Sequence, residues 1–170
     1  DRAEGFFAQV EALGPTAPSL VGLNVTAWRA EMALDDARPE EALAILEPVQ
    51  AVPGPAAALW LGDSIEALVA LGRRDEAAHL LAEVGPGLRS SGHRRSMAMV
   101  ARSEGLLAGD RPTVDRCFSE ALELVRDPSQ PHPWIKAQLG WASRLAYLGD
   151  PQAALDHAHA AASACRRVGA

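Results

Sequence analysis

Histidines, cysteines, tryptophans and one paired-arginine cluster carry whatever chemistry this 170-residue sequence can do. His157 and His159 stand two apart on a predicted helix, so they point about 200° apart and cannot share a metal; they read as surface residues. His93 with Arg94 and Arg95 makes a small basic knot at a helix start. Two guanidinium groups can hold a phosphate or carboxylate, which makes these three a candidate anion site; the alternative is a solvated surface. His79 reads as packing or surface. Cys117 sits beside Phe118 on a helix and reads as an inert thiol. The two cysteines, Cys117 and Cys165, show no paired spacing, which fits a reduced, cytoplasmic protein.

The motifs of common catalytic machinery are missing. No GxxxxGK[ST] cradles a phosphate, and no GxSxG, HExxH or CxxC occurs. No set of general acid, base and nucleophile emerges, so catalysis is not expected. Neither a metal nor a cofactor is expected in this segment.

Composition says what must position these groups. Hydrophobic residues are 48%, charged residues 22% and aromatics only 5%, with 34 alanines and 21 leucines. Alanine is the best helix former and lets backbones approach closely, so packed helices are favoured over sheets. No apolar run approaches the ~20 residues that span a bilayer, and no membrane partner is expected. Residue 1 is Asp rather than Met, so the chain is expected to be a piece of a longer protein.

The net charge of −6 argues against direct nucleic-acid binding. It is unevenly spread: residues 1–85 hold 14 acidic and 5 basic groups, and residues 86–170 hold 8 and 11. Such asymmetry can orient neighbouring domains or polar ligands, or reflect drift on a solvated surface. The basic residues are 15 arginines and one lysine, Lys136.

A repeat organises the chain. Four passages end one hydrophobic stretch in a short turn and restart with a polar, Ala-rich one: LDDARPEEALAILEPV, LGRRDEAAHLLAEV, AGDRPTVDRCFSEAL and LGDPQAALDHAHAA. Aligned on Ala37, Gly72, Gly109 and Gly149, they recur at intervals of 35, 37 and 40 residues, the size of a helix pair. Glycine can take the left-handed conformation that ends a helix; Asp110 and Asp150 then cap the next, with proline in its first turn. The second helix of each unit carries one buried face: Ala42/Leu46/Val49, Ala77/Leu81/Val84, Val114/Phe118/Ala121 and Ala154/Ala158/Ala161. First helices are predicted near 20–35, 56–71, 94–108 and 133–148. Pro- and Gly-rich gaps lie between units, including Pro53-Gly54-Pro55, Gly85-Pro86-Gly87 and Pro128 to Pro133.

The fold class is therefore all-α: about nine helices in antiparallel pairs, stacked as a right-handed solenoid. The whole of 1–170 is read as one helical-repeat domain. Its units are 1–14 (a half unit), 18–52, 54–90, 92–127 and 131–168. First helices should line the inner face. The phase places there Asn24, Ala27, Glu31 and Leu34; Leu59, Gly62, Glu66 and Val69; Ser96, Met99, Ser103 and Leu106; and Lys136, Leu139, Ser143 and Ala146. From these the candidate ligand groove is Asn24, Glu31, Glu66, Met99, Ser103, Lys136 and Ser143, with Glu31, Glu66 and Lys136 as polar anchors. Trp28, Trp60, Trp134 and Trp141 all fall on predicted first helices, either as hairpin packing or as an aromatic floor for a peptide or small ligand.

In period, in the Gly-Asp turn and in the Ala-x3-large-x2-Ala face, residues 20–168 resemble the tetratricopeptide repeat. Ala37, Val114 and Ala158 depart from its pattern. Residues 101–170 are similar to the helical region of the large ATP-binding LuxR-family regulators of bacteria. The likeness rests on GLLAGD (105–110) leading to EAL (120–122), on Pro133-Trp134 opening a helix, and on the close Arg166-Arg167-Val168-Gly169-Ala170. That resemblance implies a sensor region between a nucleotide switch and a DNA-binding helix-turn-helix, with ATP held only in the neighbouring domain. The implied partners are a protein or peptide, the chain's own flanking domains, or a small-molecule inducer. A free-standing scaffold for protein–protein interaction is the alternative. A further alternative, an enzyme on an α-solenoid frame, requires His79, Glu66 or His132 to converge in a deep pocket.

Overall fold

Local signals divide the chain into helices, most of them joined by three-residue turns, and the computed structural model, which describes residues 20–52, 54–126 and 131–167, shows all-α architecture without a strand among them. The helices are α1 (Leu20–Asp35), α2 (Pro39–Leu46), α3 (Leu61–Ala70), α4 (Arg74–Ser90), α5 (Arg94–Leu107), α6 (Arg111–Leu124), α7 (Pro131–Tyr147) and α8 (Pro151–Arg167). Short 3-10 segments run over Glu47–Val49 and Gly54–Leu59. The described residues thus hold eight α-helices. The half unit expected over 1–14 and the closing Val168-Gly169-Ala170 lie outside them. Among the described residues, no helix is long and apolar enough to cross a membrane.

Three turns share one hydrogen-bond pattern. Ala37, Gly72 and Gly149 have φ of 56°, 73° and 84°. Each donates its N–H to the carbonyl three residues back: Leu34, Val69 and Ala146, at 2.9, 3.1 and 3.1 Å. The next N–H reaches five back, to Ala33, Leu68 and Leu145, at 2.8, 2.8 and 2.9 Å. This is the Schellman close of a helix, which needs a left-handed residue. Ala37 adopts it without glycine's freedom, at a cost of about 1 kcal/mol. As expected, the Asp110 carboxylate accepts from Thr113 N–H at 2.9 Å, and the Asp150 carboxylate from Ala153 N–H at 3.1 Å.

The fourth turn differs from expectation. Gly109 is not left-handed: α5 stops at Leu107 and Ala108 is extended (φ −64°, ψ 140°). The orphan carbonyls at the end of α5 are satisfied by side chains instead. Arg74 of α4 donates to Leu106 and Leu107 at 3.3 and 2.8 Å, and Arg144 of α7 donates to Ala108. With those acceptors taken, no glycine close is required.

Two further expectations are corrected. Gly85-Pro86-Gly87 does not break the chain, since α4 continues through it to Ser90. Proline removes one N–H donor, while Gly85 and Leu88 (2% exposed) are buried, and this burial holds the helix together. The first helix of the second pair does not start near 56; a 3-10 segment precedes it, and Trp60 lies before α3 rather than on it. Trp60 is buried (2% exposed), with its indole N–H 3.4 Å from the Val52 carbonyl.

Helix pairs α1/α2, α3/α4, α5/α6 and α7/α8 form the hairpins, and each hairpin leans on the next through its first helix: α1 on α3, α3 on α5, α5 on α7. Each second helix also touches the following first helix. Of the expected second-helix faces, Ala42, Leu46, Ala77, Leu81, Val114, Phe118, Ala121, Ala154 and Ala161 are buried, while Val84 and Ala158 are half-buried and Val49 lies in the 3-10 segment after α2. Phe118 fixes the closest approach. A Cβ on Gly105 of α5 would lie 2.6 Å from its ring, and one on Gly140 of α7 would lie 3.0 Å away. Trp141 stacks on Phe118 and on His157, at 5.9 and 4.0 Å between centroids. That places Trp141 and His157 in hairpin packing; burial lowers the His157 pKa.

Candidate functional site: an ion-paired cleft on the first helices

The four first helices share one cleft of about 470 Å³. Helix α1 presents Asn24, Ala27, Trp28 and Glu31, a spacing of 3, 4 and 7 that defines one face. Leu59, Gly62 and Asp63 enter from the second hairpin; Ser96, Met99 and Arg102 from α5; His132, Pro133 and Lys136 from α7. Gly62 allows the close approach of α3 to α5, because a Cβ there would lie 2.8 Å from Met99 Cγ. Most of the wall is apolar, and Trp28 is half exposed (52%).

Charge is concentrated on one side of the cleft. Lys136 Nζ lies 3.1 Å from Asp63 Oδ1, 3.2 Å from Glu66 Oε2 and 3.3 Å from Glu31 Oε1. Arg102 Nη1 lies 2.8 Å from the same Glu66 oxygen, and His132 Nε2 is 2.6 Å from Glu31 Oε1. The only lysine in the chain therefore joins the fourth hairpin to the first and second, with Arg102 of the third alongside. Side-chain exposure is 7% for Arg102 and 15% for both Asp63 and Lys136, so water screens this network far less than the ion pairs at the turns.

The protonation preferences follow. Burial pushes Glu31 upward, but its hydrogen bond to His132 and the charge of Lys136 outweigh that and bring it down to about 2. Burial also opposes the ionised form of Glu66, and Arg102 with Lys136 holds it below the usual carboxylate range. For Asp63 burial wins, and its carboxyl is raised. Burial disfavours the Lys136 charge, yet the surrounding carboxylates raise its pKa above the ordinary lysine value.

Of the expected groove residues, Asn24, Glu31, Met99 and Lys136 line the cleft. Glu66 belongs to the ion network behind it. Ser103 does not face a ligand: it is fully buried, with its hydroxyl 3.8 Å from Met99 sulfur. Ser143 is exposed and outside the cleft. The basic knot separates. His93 and Arg95 line the cleft at the start of α5, while Arg94 donates to the Glu123 and Leu124 carbonyls at 2.9 and 3.2 Å. His132 and Glu66 share the network, whereas exposed His79 lies on a separate, shallow depression with Glu76.

The groove as read from sequence omits Asp63 and Arg102. The signal was available: Asp63 precedes Glu66 by three, and Arg102 follows Met99 by three, so each shares a helical face with an expected lining residue. His93 Nδ1 also lies 3.1 Å from Ser96 Oγ, but Ser96 is only 4% exposed, and no described carboxylate orients the imidazole. Among the described residues no group of three or more metal-ligating side chains comes together. Comparison of the chain with protein-family models, curated proteins and solved structures finds no match.

Proposed function

We propose that this chain is a non-catalytic, ligand-binding helical-repeat domain, with its hairpins stacked as a right-handed tetratricopeptide-like solenoid. We place it as the cytoplasmic sensor region of a LuxR-type regulator. The observation that carries the binding role is the cleft itself: four consecutive hairpins each contribute their first helix to one largely apolar cavity of a size that suits a small molecule. The regulator assignment rests on the sequence resemblance over residues 101–170.

The coupling mechanism follows from the packing. Hairpins that share a continuous core change curvature through small shifts at several interfaces. An effector in the cleft touches all four hairpins, so it favours one spacing of first helices over another. That bias passes to whatever domain is attached at either end. Glu31, Asp63, Glu66, Arg102 and Lys136 hold one another as ion pairs, which gives the cleft a fixed polar side against its apolar wall.

The test is the complete reading frame. A nucleotide-binding motif encoded upstream and a helix-turn-helix downstream are the expected result. A frame lacking both removes the regulator assignment and favours the free-standing scaffold.

A further inference from the structure

We propose that the cleft seats an organic cation: a primary ammonium or guanidinium group carried on an apolar body. This deepens the binding role proposed above and rests on it. Donors and acceptors in the network do not balance. Lys136 spends its three N–H donors on Glu31, Asp63 and Glu66. Among the described residues, each of those carboxylates meets these cations through a single oxygen. Glu31 Oε1 takes both His132 and Lys136, Glu66 Oε2 takes both Arg102 and Lys136, and Asp63 uses Oδ1. The second oxygen of each has no hydrogen-bond donor among the described residues.

Charge is unbalanced in the same direction. Three carboxylates, Glu31, Asp63 and Glu66, surround two permanent cations, Lys136 and Arg102. Glu31 and Asp63 carry the surplus to the cleft wall. Trp28, three residues before Glu31, shows its half-exposed ring on the same face, where it can cover a cation. Ala27, Leu59 and Met99 supply an apolar bed for the rest of the molecule. Arg95 sits about 10 Å along α5 from Arg102, at the other end, so the cationic group belongs at Glu31 and Asp63.

The experiment titrates the whole chain with two probes of the same body and opposite head group, 4-phenylbutylammonium and 4-phenylbutyrate, by calorimetry at low salt. The ammonium is expected to bind at least about tenfold more tightly. Trp28→Ala, at an exposed position, should weaken the ammonium by about tenfold while the thermal melt stays in place. Glu31→Gln should weaken it too. Equal binding of the two probes, preference for the carboxylate, no binding of either, or an unchanged ammonium affinity in Trp28→Ala would each overturn the proposal. These outcomes are independent of the reading frame: a regulator whose cleft rejects the ammonium loses only the ligand class, and a scaffold that binds it keeps the cleft.

Discussion

Arg73 at the outer turn of the second hairpin and Lys136 on the inner face both hold carboxylates near 3 Å, but in different surroundings. Arg73 makes a two-pronged pair with Glu76 at 2.7 Å, with both side chains about half exposed (47% and 59%). One hairpin earlier, Arg38 pairs with Glu41 through one nitrogen and with Asp36 through the other. These pairs join residues two or three apart in one turn, and water competes for each of them. Lys136 instead links residues 70 and more positions away, at 15% exposure. The same chemistry decorates a local turn in one region and ties distant hairpins together in the other.

Lys136→Met sharpens that contrast most. It leaves three carboxylates facing one another with only Arg102 and His132 beside them, and unfolding free energy should fall by about 3–5 kcal/mol in a denaturant titration. Ala77→Leu comes next. Ala77 is fully buried where α4 starts, and overpacking the hairpin should cost about 1–3 kcal/mol by the same measurement. Ala37→Gly should act in the opposite sense, raising stability by about 0.5–1 kcal/mol, because glycine accepts the left-handed turn that alanine is forced into. Arg73→Ala should change stability by no more than about 0.5 kcal/mol. An Arg73 effect as large as that of Lys136 would erase the distinction between the two regions.

Much of the helical pattern was legible because it depends on short-range rules. The first helix predicted at 20–35 is found at Leu20–Asp35, and that near 94–108 at Arg94–Leu107. Three of four turns follow from one left-handed residue and its neighbours. The failures lie where distant side chains decide. Nothing within a few residues of Gly109 shows that Arg74 and Arg144 will take the carbonyls of α5. Burial of Gly85 and Leu88 likewise overrides the local signal of Pro86. In the cleft, face periodicity brings Asn24, Glu31, Met99 and Lys136 to the wall. Ser103 failed because a 3.6-residue period sends position 102 to the cleft side and 103 into the core. The acidic first half and basic second half of the chain were visible as composition. That Glu31, Asp63 and Glu66 of one meet Arg102 and Lys136 of the other depends on how the hairpins curve.

The first and fourth hairpins meet across this cleft through Glu31 and Lys136. A double-mutant cycle on unfolding free energy with Glu31→Gln, Lys136→Met and the double variant measures that link directly. The two substitutions should couple by about 1–3 kcal/mol, the double variant losing less than the singles summed. Losses that add to within about 0.3 kcal/mol would mean that the two residues do not share a network and that the first and fourth hairpins are not tied across the cleft.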